Sequence, residues 1–130
     1  VLNNVESWRS KKVKRIYIAG AIRSTDPLQF LENIRRGMRL SAQAIMAGYA
    51  VYSPFVDFNF FLQLRDGERI PVEMIQAQSL AWLEVCDAVL VVPGWEKSQG
   101  TAAEIAVAHV EGIPVVYSLE ELKCYFKYEL

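Results

Sequence analysis

The run Ala88-Val89-Leu90-Val91-Val92 carries no polar residue at any position. Successive side chains of a strand point to opposite faces, so this strand has to be covered on both sides. Pro114-Val115-Val116-Tyr117 repeats the pattern. Strands apolar on both faces belong to parallel sheets, in which crossover helices cover each face. Helix-patterned stretches do separate the strand-like runs, and this alternation makes the chain α/β, a parallel sheet with helices on both faces.

The boundaries follow from local chemistry. Arg15–Ala19, ended by Gly20, reads as the first strand. Asp26-Pro27-Leu28-Gln29 opens a helix, with Asp26 as N-cap, Pro27 at the first helical position and Gln29 able to reach back. Phe30, Ile34, Met38 and Ile45 keep its apolar face, and Gly48 stops it. Tyr49–Tyr52 is the second strand. Residues 55–70, dense in phenylalanine but interrupted by Asp57, Asn59, Asp66 and Gly67, read as irregular with a short helix. Pro71 opens a helix to Val85, with Ile75, Leu80, Trp82 and Leu83 apolar. A helix over Thr101–Glu111 stops at Gly112. Ser118-Leu119-Glu120-Glu121 is a capping box for a last helix. Residues 1–12 form a polar N-terminal arm, and 13–130 a single domain.

Composition narrows the function classes. Of 130 residues, 52% are apolar and 22% charged, with a net charge of -1. That is a globular composition with no electrostatic footprint for a nucleic acid polymer. The basic stretch Arg9, Lys11, Lys12, Lys14, Arg15 reads as a solvated approach to the first strand. Cys86 and Cys124 suggest neither a disulfide framework nor a metal site. A lone histidine, His109, lacks the partners a metal site needs and argues against a Ser-His or Cys-His nucleophile. No apolar run reaches the ~18 residues of a membrane span. Without a signal-peptide pattern, a cytoplasmic setting is expected.

In open α/β sheets the ligand sits beyond the carboxyl ends of the strands, where strand order reverses. The loops after the first and third strands, Gly20–Ser24 and Pro93–Thr101, are therefore expected to face one pocket. The second carries Ser98-Gln99-Gly100-Thr101 at a helix start, where free N–H groups attract an anion. Glu104, in the first helical turn, has two readings. It is the capping partner of Thr101, or an ionised carboxylate that acts as nucleophile or stabilises an oxocarbenium-like centre. Arg23 is a phosphate clamp or a surface arginine. Tyr17 is core, or lends its hydroxyl to the pocket. Gly20 permits a turn. Trp95 is a packing anchor or a lid over a flat base. Asp87 has a structural turn role. Asp57 reads a base edge or solvates its loop.

Three segments carry a family resemblance: Tyr17-Ile18-Ala19-Gly20-Ala21-Ile22-Arg23, Ser79-Leu80-Ala81-Trp82-Leu83-Glu84-Val85-Cys86-Asp87-Ala88, and Ser98-Gln99-Gly100-Thr101-Ala102-Ala103-Glu104. In this order they resemble the nucleoside 2-deoxyribosyltransferase superfamily, which includes the 2′-deoxynucleoside 5′-monophosphate N-glycosidases, and within it the DUF4406 branch. The resemblance spans about residues 14–120. It implies a flavodoxin-like, Rossmann-like fold, N-glycosidic bond cleavage without a metal or organic cofactor, and a homo-oligomer (dimer or tetramer) whose neighbouring subunit completes the site. It implies that Glu104 is the nucleophile, that Tyr17 lies near the sugar, and that Arg23, Ser98 and Gly100 hold a 5′-phosphate.

The chain departs from that pattern at two positions. Ser79 stands where the family usually has an aspartate that serves the leaving base, and a hydroxyl is a poor proton donor near neutral pH. Asp57 or Glu73 is then the replacement acid, or the chain binds nucleotides without efficient chemistry. Ala21 stands where phosphate-holding members often have serine. The expected function is cleavage or transfer on a (deoxy)nucleoside or its 5′-monophosphate. The competing expectation is a nucleotide sensor. The expected site comprises Glu104, Tyr17 and Ser79 for chemistry, with Gly20, Arg23, Ser98, Gly100 and Thr101 for the sugar-phosphate.

Overall fold

A computed structural model of the chain describes residues 12–127. The arm expected over residues 1–12 therefore lies, but for its last residue, outside the described residues. The elements are β1 (Arg15–Ala19), α1 (Pro27–Met46), β2 (Ala50–Tyr52), a 3-10 turn (Pro54–Val56), α2 (Phe58–Phe61), α3 (Val72–Leu83), β3 (Ala88–Val91), α4 (Gln99–Val110), β4 (Val115–Val116) and α5 (Leu119–Phe126). The strands form one sheet in the order β2-β1-β3-β4. All three pairings are parallel, with Tyr17 beside Tyr52 on one side and Val89 on the other.

The two apolar faces of β1 and β3 bury two separate cores. Ile16, Ile18, Ala88 and Leu90 pack with Ile34 and Ala44 of α1, Phe55, and Leu122 of α5. Tyr17, Ala19, Val89 and Val91 pack with Leu83 of α3 and with Ile105 and Ala108 of α4. Period-two alternation thus aims Tyr17 at the α3–α4 layer. Among the described residues, no helix is long and apolar enough to cross a membrane.

Helix α1 corrects two expectations. Asp26 is its N-cap, accepting from Leu28 N at 3.0 Å, and Pro27 opens it. Gln29 does not reach back; its Nε2 donates to Asn33 Oδ1 at 2.9 Å. The buried stripe is Asn33, Ile34, Gly37, Ser41 and Ala44, whereas Met38 and Ile45 are 44% and 58% exposed. Gly37 takes the inner face because Phe55 lies against it. A Cβ on Gly37 would fall inside the Phe55 ring. The helix ends as expected, with Gly48 at φ +99°.

Gly20 is also corrected. Its φ is not positive. It is small because a Cβ there would stand 2.8 Å from Val92 Cβ and 3.0 Å from the Phe55 ring. Asp87 has the expected structural role, with Oδ2 accepting from Arg15 N at 2.7 Å. At α5, Ser118 Oγ accepts from Glu121 N, and Glu121 Oε2 accepts from Tyr117 N rather than from the cap itself.

Candidate active site

The order β2-β1-β3-β4 reverses direction between β1 and β3. The loops after these two strands are the ones that open there, as the sequence implies. Two connected cavities occupy the crevice. One, of about 440 Å³, is walled by Tyr17, Asp57, Ser79, Glu104, Ile75 and the aromatic rings of α2, among others. The other, of about 530 Å³, lies between Gly20–Arg23 and Gly94–Thr101. Ile22, Arg23, Gln76, Gly100 and Glu104 line both. All eight residues expected at the site therefore border this one crevice.

The start of α4 decides the meaning of Glu104. Its N-cap is Ser98, whose Oγ accepts from Thr101 N at 3.2 Å and lies 2.9 Å from Thr101 Oγ1. Thr101 is therefore the third helical residue and not the cap. Its hydroxyl is buried in the cap rather than presented to a ligand. Glu104 is the sixth helical residue, beyond the first turn. The capping-box reading of Glu104 is overturned, because the helix is already capped by Ser98, six residues upstream.

The Glu104 side chain is instead turned inward. Oε2 is buried and has no hydrogen-bond partner, and the same holds for Tyr17 Oη. The two groups lie close enough to influence each other, and Ser79 is near Tyr17, yet no hydrogen bond of good geometry closes between them. Burial raises the Glu104 carboxyl to about 7, against a smaller lowering by the Tyr17 hydroxyl. Burial, then the Glu104 charge, hold the Tyr17 phenol far above its ordinary value. Unpaired buried polar atoms cost folding free energy. Such a pair aimed into a cavity is poised for a ligand.

The neighbouring lobe is cationic and rich in N–H groups. Arg23 is exposed at the junction of the cavities and has no ion-pair partner among the described residues. Lys97 lines the loop lobe. The first-turn N–H groups of Gln99 and Gly100 donate to no acceptor in the described residues, as expected of a helix start. The β1–α1 loop is held in place by Asn33, whose Nδ2 donates to Ile22 O at 3.2 Å. Trp95 packs beside Tyr117, with ring centroids 6.2 Å apart, and lines neither cavity. It is an anchor and not a lid.

Asp57 is the site residue that the sequence left undecided. It is 6% exposed at the corner between the 3-10 turn and α2. Its Oδ2 accepts a long 3.4 Å bond from Tyr52 Oη, which itself accepts from Gln78 Nε2 at 3.3 Å. Burial raises the Asp57 carboxyl above its ordinary value, with a partial lowering by Tyr52. Glu73 is exposed and lines neither cavity. The Tyr52 ring stacks on Tyr17 at 5.6 Å and on Trp82 at 5.5 Å. A three-ring ladder thus runs from the site to the surface. Its outer end borders an open groove of about 680 Å³ lined by exposed Met38, Ile45, Val56, Phe60 and Trp82.

Comparison with known proteins agrees with this architecture. No curated protein matches the sequence. A 2-deoxyribosyltransferase from the psychrotolerant bacterium Bacillus psychrosaccharolyticus has a similar structure, with a TM-score of 0.53 and 19% identity over 78% of this chain and 69% of that one. A conserved protein from Enterococcus faecalis V583 is similar with a TM-score of 0.52 and 20% identity, over 92% of this chain and 77% of that one. Both likenesses concern the fold. The sequence itself matches the domain of unknown function DUF4406 over residues 14–117. This four-stranded parallel α/β chain belongs to the DUF4406 family and shares its fold with a 2-deoxyribosyltransferase.

Proposed function

We propose that the protein cleaves or transfers across the N-glycosidic bond of a (deoxy)nucleoside or its 5′-monophosphate. The observation that carries this reading is the buried, unpartnered Glu104 Oε2 beside an unpartnered Tyr17 hydroxyl. A structural glutamate would have a cap or an ion pair. In the proposed step, ionised Glu104 attacks the anomeric carbon as the bond to the base breaks, and the bonding electrons leave with the base nitrogen. A glycosyl ester of Glu104 results. Water or a second base then releases the sugar and frees the carboxylate.

The loop lobe serves the far end of the sugar. Arg23, the Gly100 N–H and the Ser98 hydroxyl stand where a 5′-phosphate or 5′-hydroxyl would reach. The 2-deoxyribosyltransferase likeness supports the substrate class. A second copy of the chain on the apolar groove beside Trp82 fits the oligomer that the sequence resemblance implies. The test is chromatographic detection of free base from a panel of nucleosides and 5′-monophosphates. Release by the parent and its loss by roughly 10³-fold or more in Glu104→Ala are expected. Unchanged release in Glu104→Ala removes the mechanism.

The position of Ser79 favours a second reading. It borders the cavity without a carboxylate to offer the base. A sensor would bind nucleotides, gain thermal stability from them, and release no base.

A further inference from the structure

We propose that Asp57 is the group that meets the departing base and gives it a proton, the role for which Ser79 is chemically unfit. This rests on the N-glycosidase reading and assigns the residue that completes it.

The walls of the Glu104 cavity contain four ionisable side chains: Tyr17, Arg23, Asp57 and Glu104. Glu104 cannot be both nucleophile and acid in one step. Arg23 does not give up a proton at ordinary pH. The Tyr17 phenol holds its proton far more tightly than a free tyrosine. Asp57 remains. It is nearly buried, and its partner in the chain is one long bond from Tyr52 Oη. Tyr52 itself senses the charges of both Asp57 and Glu104. The two carboxyls thus stand on different elements, the corner after β2 and helix α4, and share the cavity they border.

The side chains around Asp57 suit a flat heterocycle. Phe58, Phe61, Pro54 and Ile75 border the same cavity and offer apolar and aromatic surface for a base to lie against. Glu104 is at the α4 end, next to the sugar-phosphate lobe. A nucleoside laid across the crevice has its base at the Asp57 end and its sugar carbon at Glu104. The Asp57 proton passes to a ring nitrogen as the glycosidic bond breaks. The resulting Asp57 carboxylate then takes a proton from the water or base that resolves the glycosyl ester, which restores the starting state.

A matched pair of leaving groups tests the assignment. 2′-Deoxyguanosine leaves more easily when protonated. 7-Methyl-2′-deoxyguanosine already carries a positive base and leaves as a neutral molecule with no proton added. Asp57→Asn is expected to slow release from the first about 10²- to 10⁴-fold and from the second less than about threefold, while Glu104→Gln abolishes both. In the Asp57→Asn background, Ser79→Asp is expected to restore part of the release from 2′-deoxyguanosine. The methylated substrate also reports that the variant is folded. Equal loss on both substrates, no loss on either, or a parent chain active on the methylated substrate alone overturns the role of Asp57 and leaves the glycosidase reading intact. A parent chain that releases base from neither, nor from their 5′-monophosphates or any other member of the nucleoside and 5′-monophosphate panel, overturns both.

Discussion

At the scale of single residues, the site is expensive to fold. Below about pH 4.5 the Glu104 carboxyl carries its proton in both the folded and the unfolded chain. As pH rises, the unfolded chain loses that proton near 4.5 and the folded chain only near 7. Stability therefore falls through this window and levels off above it. The loss is roughly 3 kcal/mol, since one pKa unit corresponds to about 1.4 kcal/mol. Glu104→Gln has no such proton to lose. Urea unfolding from pH 4.5 to 8 is expected to show the parent falling below this variant by that order. A parent curve parallel to the variant's would contradict the burial of Glu104. For the proposed reaction, kcat/KM for base release is expected to rise as Glu104 ionises and to fall as Asp57 loses its proton, a bell-shaped profile. Gly37 shows the opposite kind of constraint, one without function. Gly37→Ala forces the buried Phe55 ring to move and is expected to cost about 1–3 kcal/mol, read as a lower urea midpoint.

At the scale of elements, the beginning of α4 matters most. Ser98→Ala removes the acceptor for both Thr101 N and Thr101 Oγ1, and Thr101 is 1% exposed. A lost N-cap costs about 1 kcal/mol. Chemical denaturation is expected to show at least that loss, and a neutral result would mean that another cap takes over. The start of α4 also shows what was legible in the sequence. That a helix follows the Pro93–Gly100 loop is written in the small residues and the end of the apolar strand. Which residue caps it is not, because Ser98 and Thr101 both have cap chemistry. The choice moves Glu104 from a structural to a free role. The two-sided strands, Gly48 and the Asp26-Pro27 start are local signals and were readable. The inner face of α1 was not. Gly37 in its stripe is required by Phe55, a residue from the unpatterned 55–70 segment, while Asn33 and Ser41 are held by Ile22 O and Ser53 Oγ, partners outside the helix. The candidate site divides the same way. The two loops and Glu104 carry local patterns, whereas Asp57 becomes a site residue only through burial and the stacking of Tyr17 on Tyr52, which depends on strand register.

At the scale of the whole molecule, the sheet separates two jobs. The Ile16–Ile18 face is an ordinary core closed by α1 and α5. The Tyr17–Ala19 face supports the crevice beneath α3 and α4. Helix α3 is only thinly buried, with Leu83 as its one buried residue and Met74 and Trp82 more than half exposed. Trp82 opens on the groove that it shares with exposed Met38, Ile45, Val56 and Phe60, and exposed apolar side chains gathered in this way mark a contact surface. If a second copy covers it, Ile45→Glu is expected to shift sedimentation toward the monomer. A parent chain that sediments as a monomer would remove that role for the groove. The stacked rings have an optical consequence. Tyr17 borders the Glu104 cavity, Tyr52 lies between, and Trp82 is half exposed at the outer end. Indole emission is sensitive to the ring it leans on. Replacing Trp95 and Trp8, the latter outside the described residues, with phenylalanine leaves Trp82 as the sole indole. The protein then carries its own fluorescent gauge of cavity filling, and ligand titrations can be followed by intensity and wavelength without a label or a turnover assay.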